Sequence, residues 1–252
     1  MEQSNPKNYK KNEHQYFSEL PGYFEHASGN FGEKMHCFTK FVPRQSLAYF
    51  MARAEIYKNI IALHGSVFDF GIYHGGSFFT WLQLSSIYEP YNHIRKFVGF
   101  DSFSGFSEIS RNDIGGEHLE LKKTGGMTYT NGYEEIIDGI NLLDLNRPLG
   151  HVKNTSVFEG EASEKFSEYL DLHNETIIAM ANFGLGTYEP TVKILSLIKP
   201  RLQKGSVLVF EDLNQSNWPG ETKALYEVFK PEEISLQRFP FCPQLSFMIY
   251  GS

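Results

Sequence analysis

The stretch that decides the fold is VFDFGIYHGGS, residues 67–77. The short apolar run SVFDF at 66–70 predicts a buried strand, and the glycines that follow it predict a tight turn. The apolar sequence GSFFTWLQLSSIY at 76–88 predicts that a helix starts directly after this turn. A strand, a glycine turn and a helix in this order are typical of a β-α unit in a parallel sheet.

The same alternation continues along the chain. The predicted strands cover 66–70, 96–101, 176–183 and 206–212, and the predicted helices cover 44–63, 76–88, 132–145, 162–170, 190–202 and 221–230. Two last segments, ISLQRFPF and LSFMIYGS, predict a C-terminal strand pair. The pattern predicts an α/β fold, with a mostly parallel sheet covered by helices on both faces.

Length and composition favour one main domain. The chain has 252 residues, of which 41% are hydrophobic, and can bury one sizeable core. We expect an N-terminal arm at 1–43 and the α/β domain at 44–252. The arm is polar with scattered aromatic residues, a composition that suits packing on the surface of the domain or on a second subunit; a partly ordered tail is the alternative. We expect a homodimer.

Charge and cysteine content exclude several classes of protein. The net charge of −7 argues against nucleic acid as a partner, because binding to the phosphate backbone requires a concentrated cationic surface. The two cysteines, Cys37 and Cys242, are too few for a disulfide framework, although one pairing between them stays open. The first residues have no apolar core like that of a signal peptide, and we expect a cytoplasmic protein without a membrane partner.

In open parallel sheets, ligands bind outside the carboxyl ends of the strands. After the first strand, the turn residues Gly71, Tyr73, Gly75 and Ser77 are predicted to contact a ligand. The dinucleotide motif G-x-G-x-x-G is absent, which disfavours a nicotinamide-dependent dehydrogenase. Asp69 suits a cationic ammonium better than a pyrophosphate, because opposite charges at 4 Å attract by about 1 to 4 kcal/mol.

The next strand ends favour a nucleoside. Asp101 and Ser102 follow the second strand, where a carboxylate is placed to accept the hydroxyl protons of a ribose; capping of the next turn is the alternative. Glu161 and Ala162 are predicted to lie against an adenine amino group, with helix capping as the alternative. A nucleoside that carries a cationic amino acid is S-adenosylmethionine.

These segments resemble the class I S-adenosylmethionine-dependent methyltransferases, and specifically the macrocin O-methyltransferase family. The likeness rests on VFDFGIYHGGS, FVGFDSFSGF, TYEPTVKILSLIKPRLQKGSVLVFED and the terminal strand pair. It implies a seven-stranded Rossmann-like sheet whose last strand is antiparallel. It also implies transfer of a methyl group to a sugar hydroxyl, with a nucleotide-activated sugar of a surface polysaccharide or natural product as the acceptor.

The resemblance also raises a question about catalysis. The family carries Asp-x-Asp before Tyr-x-x-Thr, and here Gly184-Leu185-Gly186 replaces it before Tyr188. The acidic pair that binds a divalent metal such as Mg²⁺ in the family is present as Glu211 and Asp212. The glycines are interpreted as room for a sugar ring or as a loss of activity. The alternative function is therefore a catalytically impaired S-adenosylmethionine-binding protein that acts with a partner.

Methyl transfer to an alcohol depends mainly on positioning, and a general base adds about 10² to 10⁴ in rate. The candidate bases are His74, Glu211, Asp212 and Tyr188. His74 is the most suitable by intrinsic acidity, because histidine titrates near physiological pH; a turn histidine packed on the surface is the alternative. A segment at 106–131 is too long and too irregular for an ordinary connection and is predicted to be a lid or insertion over the acceptor, with disorder as the alternative. Its candidate contacts are Glu117, His118, Lys122, Lys123 and Tyr129, which are equally consistent with solvated surface.

Overall fold

The computed structural model describes residues 11–107, 109–116, 123–128 and 130–252. The chain separates into two compact units, the first ending at Met51 and the second spanning Ala52–Ser252. No helix in these residues is both long and apolar enough to cross a membrane. Cys37 and Cys242 are both free thiols, so the pairing left open by the sequence does not form.

The first unit is helical. Its elements are helix α1 (Lys11–His26), helix α2 (Phe31–His36) and the start of helix α3 (Arg44–Tyr57). Asn30 caps α2, because its side chain accepts the amide of Glu33 at 3.0 Å while the Glu33 carboxylate accepts the amide of Asn30 at 2.7 Å. Helices α1 and α2 were not predicted, whereas α3 was, and the arm at 1–43 as a separate domain stays a prediction.

The second unit is a seven-stranded sheet with helices around it. The strands are β1 (Ser66–Phe70), β2 (Phe97–Asp101), β3 (Thr155–Glu159), β4 (Ile178–Phe183), β5 (Leu202–Phe210), β6 (Gln237–Phe239) and β7 (Cys242–Ile249). The helices are α4 (Gly76–Tyr88), α5 (Gly132–Asn146), α6 (Ala162–Leu172), α7 (Tyr188–Ile198) and α8 (Gly220–Val228). The strand order is β3-β2-β1-β4-β5-β7-β6, with β7 antiparallel to both of its neighbours. The predicted α/β fold, with its antiparallel last strand, is confirmed.

Some predicted boundaries were wrong. Strand β3 was not predicted, because TSVFE is an edge strand with partly exposed side chains and lacks a continuous apolar run. Helix α7 begins at Tyr188, two residues before the predicted start, and ends at Ile198, in agreement with the interruption expected near Pro200, which cannot continue an α-helix. Helix α3 ends at Tyr57, six residues before the predicted end at 63.

A row of five phenylalanines crosses the sheet near its carboxyl edge. In register from β3 to β5, these residues are Phe158, Phe100, Phe70, Phe183 and Phe210. Neighbouring rings in the row lie 5.0 to 5.5 Å apart. Phe166 of α6 packs edge-on against this row, so the row is part of the buried core. The row gives the strand ends a rigid support on one face of the sheet.

Candidate active site

The residue that follows each phenylalanine of the row lies at the carboxyl edge. The residues at this edge are Glu159, Asp101, Gly71, Gly184 and Glu211. Backbone pairing continues to this level, with the Gly71, Gly184 and Glu211 amides donating to strand carbonyls at 2.8 to 3.0 Å. Because side chains alternate along a strand, Glu211 projects from the face opposite the phenylalanine row, as do Asp69 and Asn182.

The turn after β1 has the geometry predicted for it. Gly71 has φ +82°, and a Cβ there would lie 2.6 Å from the carbonyl oxygen of Gly184, so only glycine fits. Gly75 has φ +80° and is the residue before α4. The Tyr73 amide donates to Oδ2 of Asp101 at 2.7 Å, which ties the turn to the end of β2.

Asp101 holds two turns together. Its Oδ1 accepts the amide of Phe103 at 2.8 Å, while Oδ2 accepts Tyr73. Each carboxylate oxygen has a second lone pair, so these bonds leave capacity for ligand hydroxyls. Burial raises the pKa of Asp101, and the backbone hydrogen bonds oppose this shift. Ser102 donates to the carbonyl of Gly105 at 2.7 Å, which closes the following turn. The ribose role stays a prediction.

Asp69 and Asn182 form a fully buried polar pair on adjacent strands. The Asn182 amide donates to Oδ1 of Asp69 at 2.8 Å. Oδ2 of Asp69 and Oδ1 of Asn182 have no hydrogen-bond partner in the described part of the chain. Burial, and to a lesser extent the charge of Glu211, raises the pKa of Asp69 to about 7. Two buried acceptors without donors suit a ligand ammonium, since buried polar groups are normally paired.

An arginine joins this pair to Glu211. Nη2 of Arg53, at the end of α3, donates to Oε1 of Glu211 at 2.8 Å, and Nδ2 of Asn182 donates to the same oxygen at 3.2 Å. The Arg53 side chain is 9% exposed and that of Glu211 is 28% exposed. The guanidinium carbon lies 5.9 Å from the centre of the Trp81 ring. Arg53 was not predicted as a site residue, because it is remote from Glu211 along the chain.

A second buried acid lies beside Asp212. Glu221, in the first turn of α8, accepts the Gly186 amide through Oε1 and the Asp212 amide through Oε2, both at 3.1 Å. Glu221 is fully buried, and burial together with the charge of Asp212 raises its pKa well above the ordinary value. Glu221 therefore links the loops after β4 and β5. No sequence signal distinguished it from an ordinary helix-start acid.

The two glycines after β4 contact the protein itself. A Cβ at Gly184 would lie 3.0 Å from the carbonyl oxygen of Gly71. Gly186 has φ +64°, and its Cβ would lie 3.3 Å from Oδ2 of Asp212 and 3.4 Å from the Trp218 ring. A Cβ at either glycine would therefore meet protein atoms, and the interpretation that these glycines open room for a sugar ring stays a prediction.

The other candidate bases have different surroundings. His74 is exposed, and its ring centre lies 4.2 Å from that of Tyr73. The Tyr188 hydroxyl donates to Glu227 on α8, and this hydrogen bond raises the pKa of Tyr188 to about 12. Asp212, unlike His74 and Tyr188, lies next to Gly186 and Glu221 at the strand ends.

Glu161 is the N-terminal cap of α6. Its Oε2 accepts the amide of Glu164 at 2.8 Å and the hydroxyl of Ser163 at 2.6 Å. The capping alternative is thus present in the structure, and Ala162 is buried beside it. Contact of Glu161 and Ala162 with an adenine stays a prediction.

The segment predicted as a lid is anchored where it is described. Asp113 accepts the Tyr188 amide through Oδ1 at 2.6 Å and the Ser110 amide through Oδ2 at 2.8 Å. The rings of Phe106 and Trp218 lie 5.4 Å apart. This segment therefore reaches the start of α7. The candidate contacts Glu117, His118, Lys122 and Tyr129 lie outside the described residues.

The residues implied as metal ligands do not fit a divalent ion. Oε1 of Glu211 is already paired with the Arg53 guanidinium, and Gly184 and Gly186 supply no side-chain oxygen. Among the residues that the structure describes, no group of three or more His, Cys, Asp or Glu side chains is placed to hold a metal ion. Asp69, by contrast, fits the ammonium of S-adenosylmethionine through its buried, unpartnered oxygen.

Comparisons with known proteins agree with this architecture. No family model and no curated protein sequence matches the chain. Among solved structures, the calicheamicin methyltransferase CalS11 is 27% identical over 97% of this chain and 95% of that chain, with a TM-score of 0.90. An apo structure of CalS11, described as a TDP-rhamnose 3'-O-methyltransferase, is 25% identical over 97% and 96%, with a TM-score of 0.83.

The O-methyltransferase NovP shares the fold at 13% identity, with a TM-score of 0.57 over 81% of this chain and 79% of that chain. The polar carboxyl edge, the glycine turn and the antiparallel last strand are the features that the sequence resemblance implied. Together with these similarities, they confirm the Rossmann-like methyltransferase fold and the resemblance to the macrocin O-methyltransferase family, and they support an S-adenosylmethionine-dependent O-methyltransferase.

Proposed function

We propose that this chain transfers the methyl group of S-adenosylmethionine to a hydroxyl of a nucleotide-activated sugar. The observation that supports S-adenosylmethionine as the cofactor is a pair of buried hydrogen-bond acceptors on adjacent strands near the glycine turn. These acceptors are Oδ2 of Asp69 and Oδ1 of Asn182. The observation that supports the acceptor is the similarity, over nearly the whole of both chains, to a structure described as a TDP-rhamnose 3'-O-methyltransferase.

The proposed reaction is a direct displacement. The acceptor hydroxyl oxygen forms a bond to the methyl carbon as the bond from that carbon to sulfur breaks, and the electron pair of the broken bond stays on sulfur. S-adenosylmethionine supplies an electrophilic methyl group because its sulfur is positively charged. The hydroxyl proton passes to a base of the protein or to water. The protein's main contribution is alignment of the two reactants.

The residues at the edge have separate proposed roles. Asp69 and Asn182 hold the ammonium, Asp101 and Ser102 hold the ribose, and Glu161 with Ala162 borders the adenine. The turn residues Gly71, Tyr73, Gly75 and Ser77 border the methionine end.

We favour Asp212 as the base. It is partly exposed at the strand ends, beside the buried Glu221. Tyr188 is less suited, since its hydroxyl is engaged by Glu227 and its raised pKa opposes ionisation at neutral pH. His74 stays a candidate because it lies in the turn that the cofactor is proposed to contact.

The test is a methyl-transfer assay with isotopically labelled S-adenosylmethionine and a panel of nucleotide-activated sugars, which includes TDP-rhamnose. The proposal predicts a labelled O-methyl sugar nucleotide with at least one acceptor. Asp212→Asn should lower the rate by about 10² to 10⁴ if Asp212 is the base. The exposed Asp138, outside the site, gives the matched control Asp138→Asn, which should keep the full rate.

A second candidate function rests on the absence of Asp-x-Asp at 184–186. In that case the chain binds S-adenosylmethionine without turnover and acts with a partner. Tight cofactor binding combined with no product from any acceptor, at any protein concentration, would favour this function over the first.

The cellular setting is also a proposal. We infer that the product enters natural-product or surface-polysaccharide biosynthesis, that the chain acts in the cytoplasm, and that it is a homodimer. The dimer is tested by light scattering after size-exclusion chromatography, where a mass near twice 28.9 kDa is expected and the monomer mass would contradict it.

A further inference from the structure

The carboxyl edge of this sheet contains a fixed protein cation. We propose that the Arg53 guanidinium takes the place of a divalent metal there, so that this chain transfers methyl groups without metal and uses Arg53 to position Glu211. The inference rests on the proposed function for its catalytic part. Its metal-binding part is independent of any acceptor.

The first support is the geometry of the ion pair. Nη2 of Arg53 lies 2.8 Å from Oε1 of Glu211, which is a normal length for a charge-assisted hydrogen bond. Arg53 is buried, with 7% of its surface exposed, and its guanidinium lies near the Trp81 ring. A side chain held in this way does not swing aside at low cost, because moving it would leave Glu211 without its cationic partner.

The second support is the charge at the edge. Asn182 bridges Asp69 and Glu211 by donating to both, so the two acids belong to one network with a single guanidinium. A divalent ion coordinated by Glu211 would have to lie close to that guanidinium or displace it. Both alternatives are unfavourable, since like charges repel strongly where little water screens them.

The third support is the shortage of ligands. Mg²⁺ requires near-octahedral oxygen coordination and usually takes one or two carboxylates together with water and substrate. Gly184 and Gly186 offer none, and a Cβ at Gly184 would lie 3.0 Å from the Gly71 carbonyl and 3.7 Å from the Glu211 carboxyl carbon. An aspartate at 184 would therefore be crowded and would face Glu211, whose charge Arg53 already compensates.

The consequence is a positioning role for Arg53. It holds the Glu211 carboxylate in place at the strand end, where 28% of that side chain is exposed. Glu211 then contributes a fixed negative charge next to the Asp69 pair without an ion. This arrangement gives the Gly-Leu-Gly sequence a physical explanation that does not require loss of activity.

The direct test is a Mn²⁺ titration followed by electron paramagnetic resonance, with wild type, Arg53→Met and Arg53→Lys. Wild type and Arg53→Lys should show no site-bound Mn²⁺ at millimolar concentration. Arg53→Met should gain binding, because it leaves Glu211 uncompensated. Arg238→Met, at an exposed position of β6, is the matched control and should behave as wild type.

The second measurement is methyl transfer in the presence of a chelator. Wild-type turnover should be unchanged by the chelator, and Arg53→Met should lose at least about tenfold in rate, with Arg53→Lys recovering part of it. Site-bound Mn²⁺ in wild type, or wild-type turnover that is lost on chelation and restored by Mg²⁺, would overturn the inference. If circular dichroism shows that Arg53→Met does not fold, the inference is tested with wild type and Arg53→Lys, by their Mn²⁺ binding and by the effect of the chelator on their turnover. If the proposed function is wrong, wild type shows no turnover with any acceptor. The Mn²⁺ binding of wild type and variants would still follow the pattern predicted above.

Discussion

At the scale of single residues, the main feature is a buried acid that lacks a full set of partners. Asp69 shares its strand level with Asn182 and lies completely out of contact with water. Burial disfavours its charged form, whereas a bound ammonium favours it. The same carboxyl therefore costs stability in the unliganded protein and contributes affinity in the complex.

Cofactor affinity should depend on pH through Asp69. Because the unliganded pKa of Asp69 is raised to about 7 and ammonium binding favours the carboxylate, the affinity for S-adenosylmethionine should rise from pH 6 to pH 8. Isothermal titration calorimetry at pH 6, 7 and 8 measures this. In Asp69→Asn the affinity should be lower and the rise smaller; an equal rise in the variant would assign the pH dependence to another group.

Stability without ligand should change in the opposite direction. Between the unfolded pKa near 3.8 and the folded pKa of about 7, the folded Asp69 binds more protons than the unfolded one. The contribution of Asp69 to the free energy of unfolding therefore falls as pH rises through this window, by about 1.4 kcal/mol per pH unit. In thermal unfolding, the Tm of Asp69→Asn should rise relative to the Tm of wild type between pH 5 and pH 8. A constant difference in Tm would contradict this assignment.

At the scale of elements, the site is built from the ends of strands and the starts of helices. The phenylalanine row supports the edge from one face, and Arg53 with Asp69, Asn182 and Glu211 occupies the other. Glu221 at the start of α8 joins the loops after β4 and β5. These contacts hold the edge in its form before any ligand binds.

Removal of the Glu221 carboxyl should loosen both loops. Glu221→Ala leaves the buried Gly186 amide and the partly buried Asp212 amide without their acceptor, and a buried hydrogen bond left unmade costs about 1 to 3 kcal/mol. We expect a lower free energy of unfolding in urea. The exposed Glu232 provides the matched control Glu232→Ala, whose stability should stay near that of wild type. Equal stability of both variants would show that Glu221 is not a link.

The glycine turn offers a second comparison at this scale. Gly71 has φ +82°, and the Cβ of Gly71→Ala would lie only 2.6 Å from the Gly184 carbonyl oxygen, so the turn must shift in this variant. Gly76→Ala meets nothing within 4 Å and lies at the first residue of α4. Thermal unfolding should show a marked loss for the first variant and none for the second. Similar Tm values for the two would contradict the close packing of Gly71 against Gly184.

The sequence predicted the elements well where the pattern was local. The run SVFDF and the helix at 76–88 were placed with their observed bounds, because apolar periodicity and glycine turns act over a few residues. Strand β3 was missed since an edge strand need not be apolar. The site partners Arg53, Asp113 and Glu221 were missed because the fold brings them together over long separations along the chain.

At the scale of the whole molecule, the second unit carries every contact that builds the site, from Arg53 to Glu221. The net charge of −7 is distributed over a chain whose proposed cofactor is cationic and whose proposed acceptor is anionic. Long-range attraction therefore does not explain acceptor binding, which must come from local contacts at the edge.

Calorimetric titration of the wild-type chain with S-adenosylmethionine and with S-adenosylhomocysteine tests the central claim most directly. One equivalent of each should bind per chain, and Asp101→Asn should weaken both, because that carboxylate is assigned to the ribose that they share. Absence of heat and of any thermal stabilisation with both compounds would contradict the assignment of this sheet edge to the cofactor.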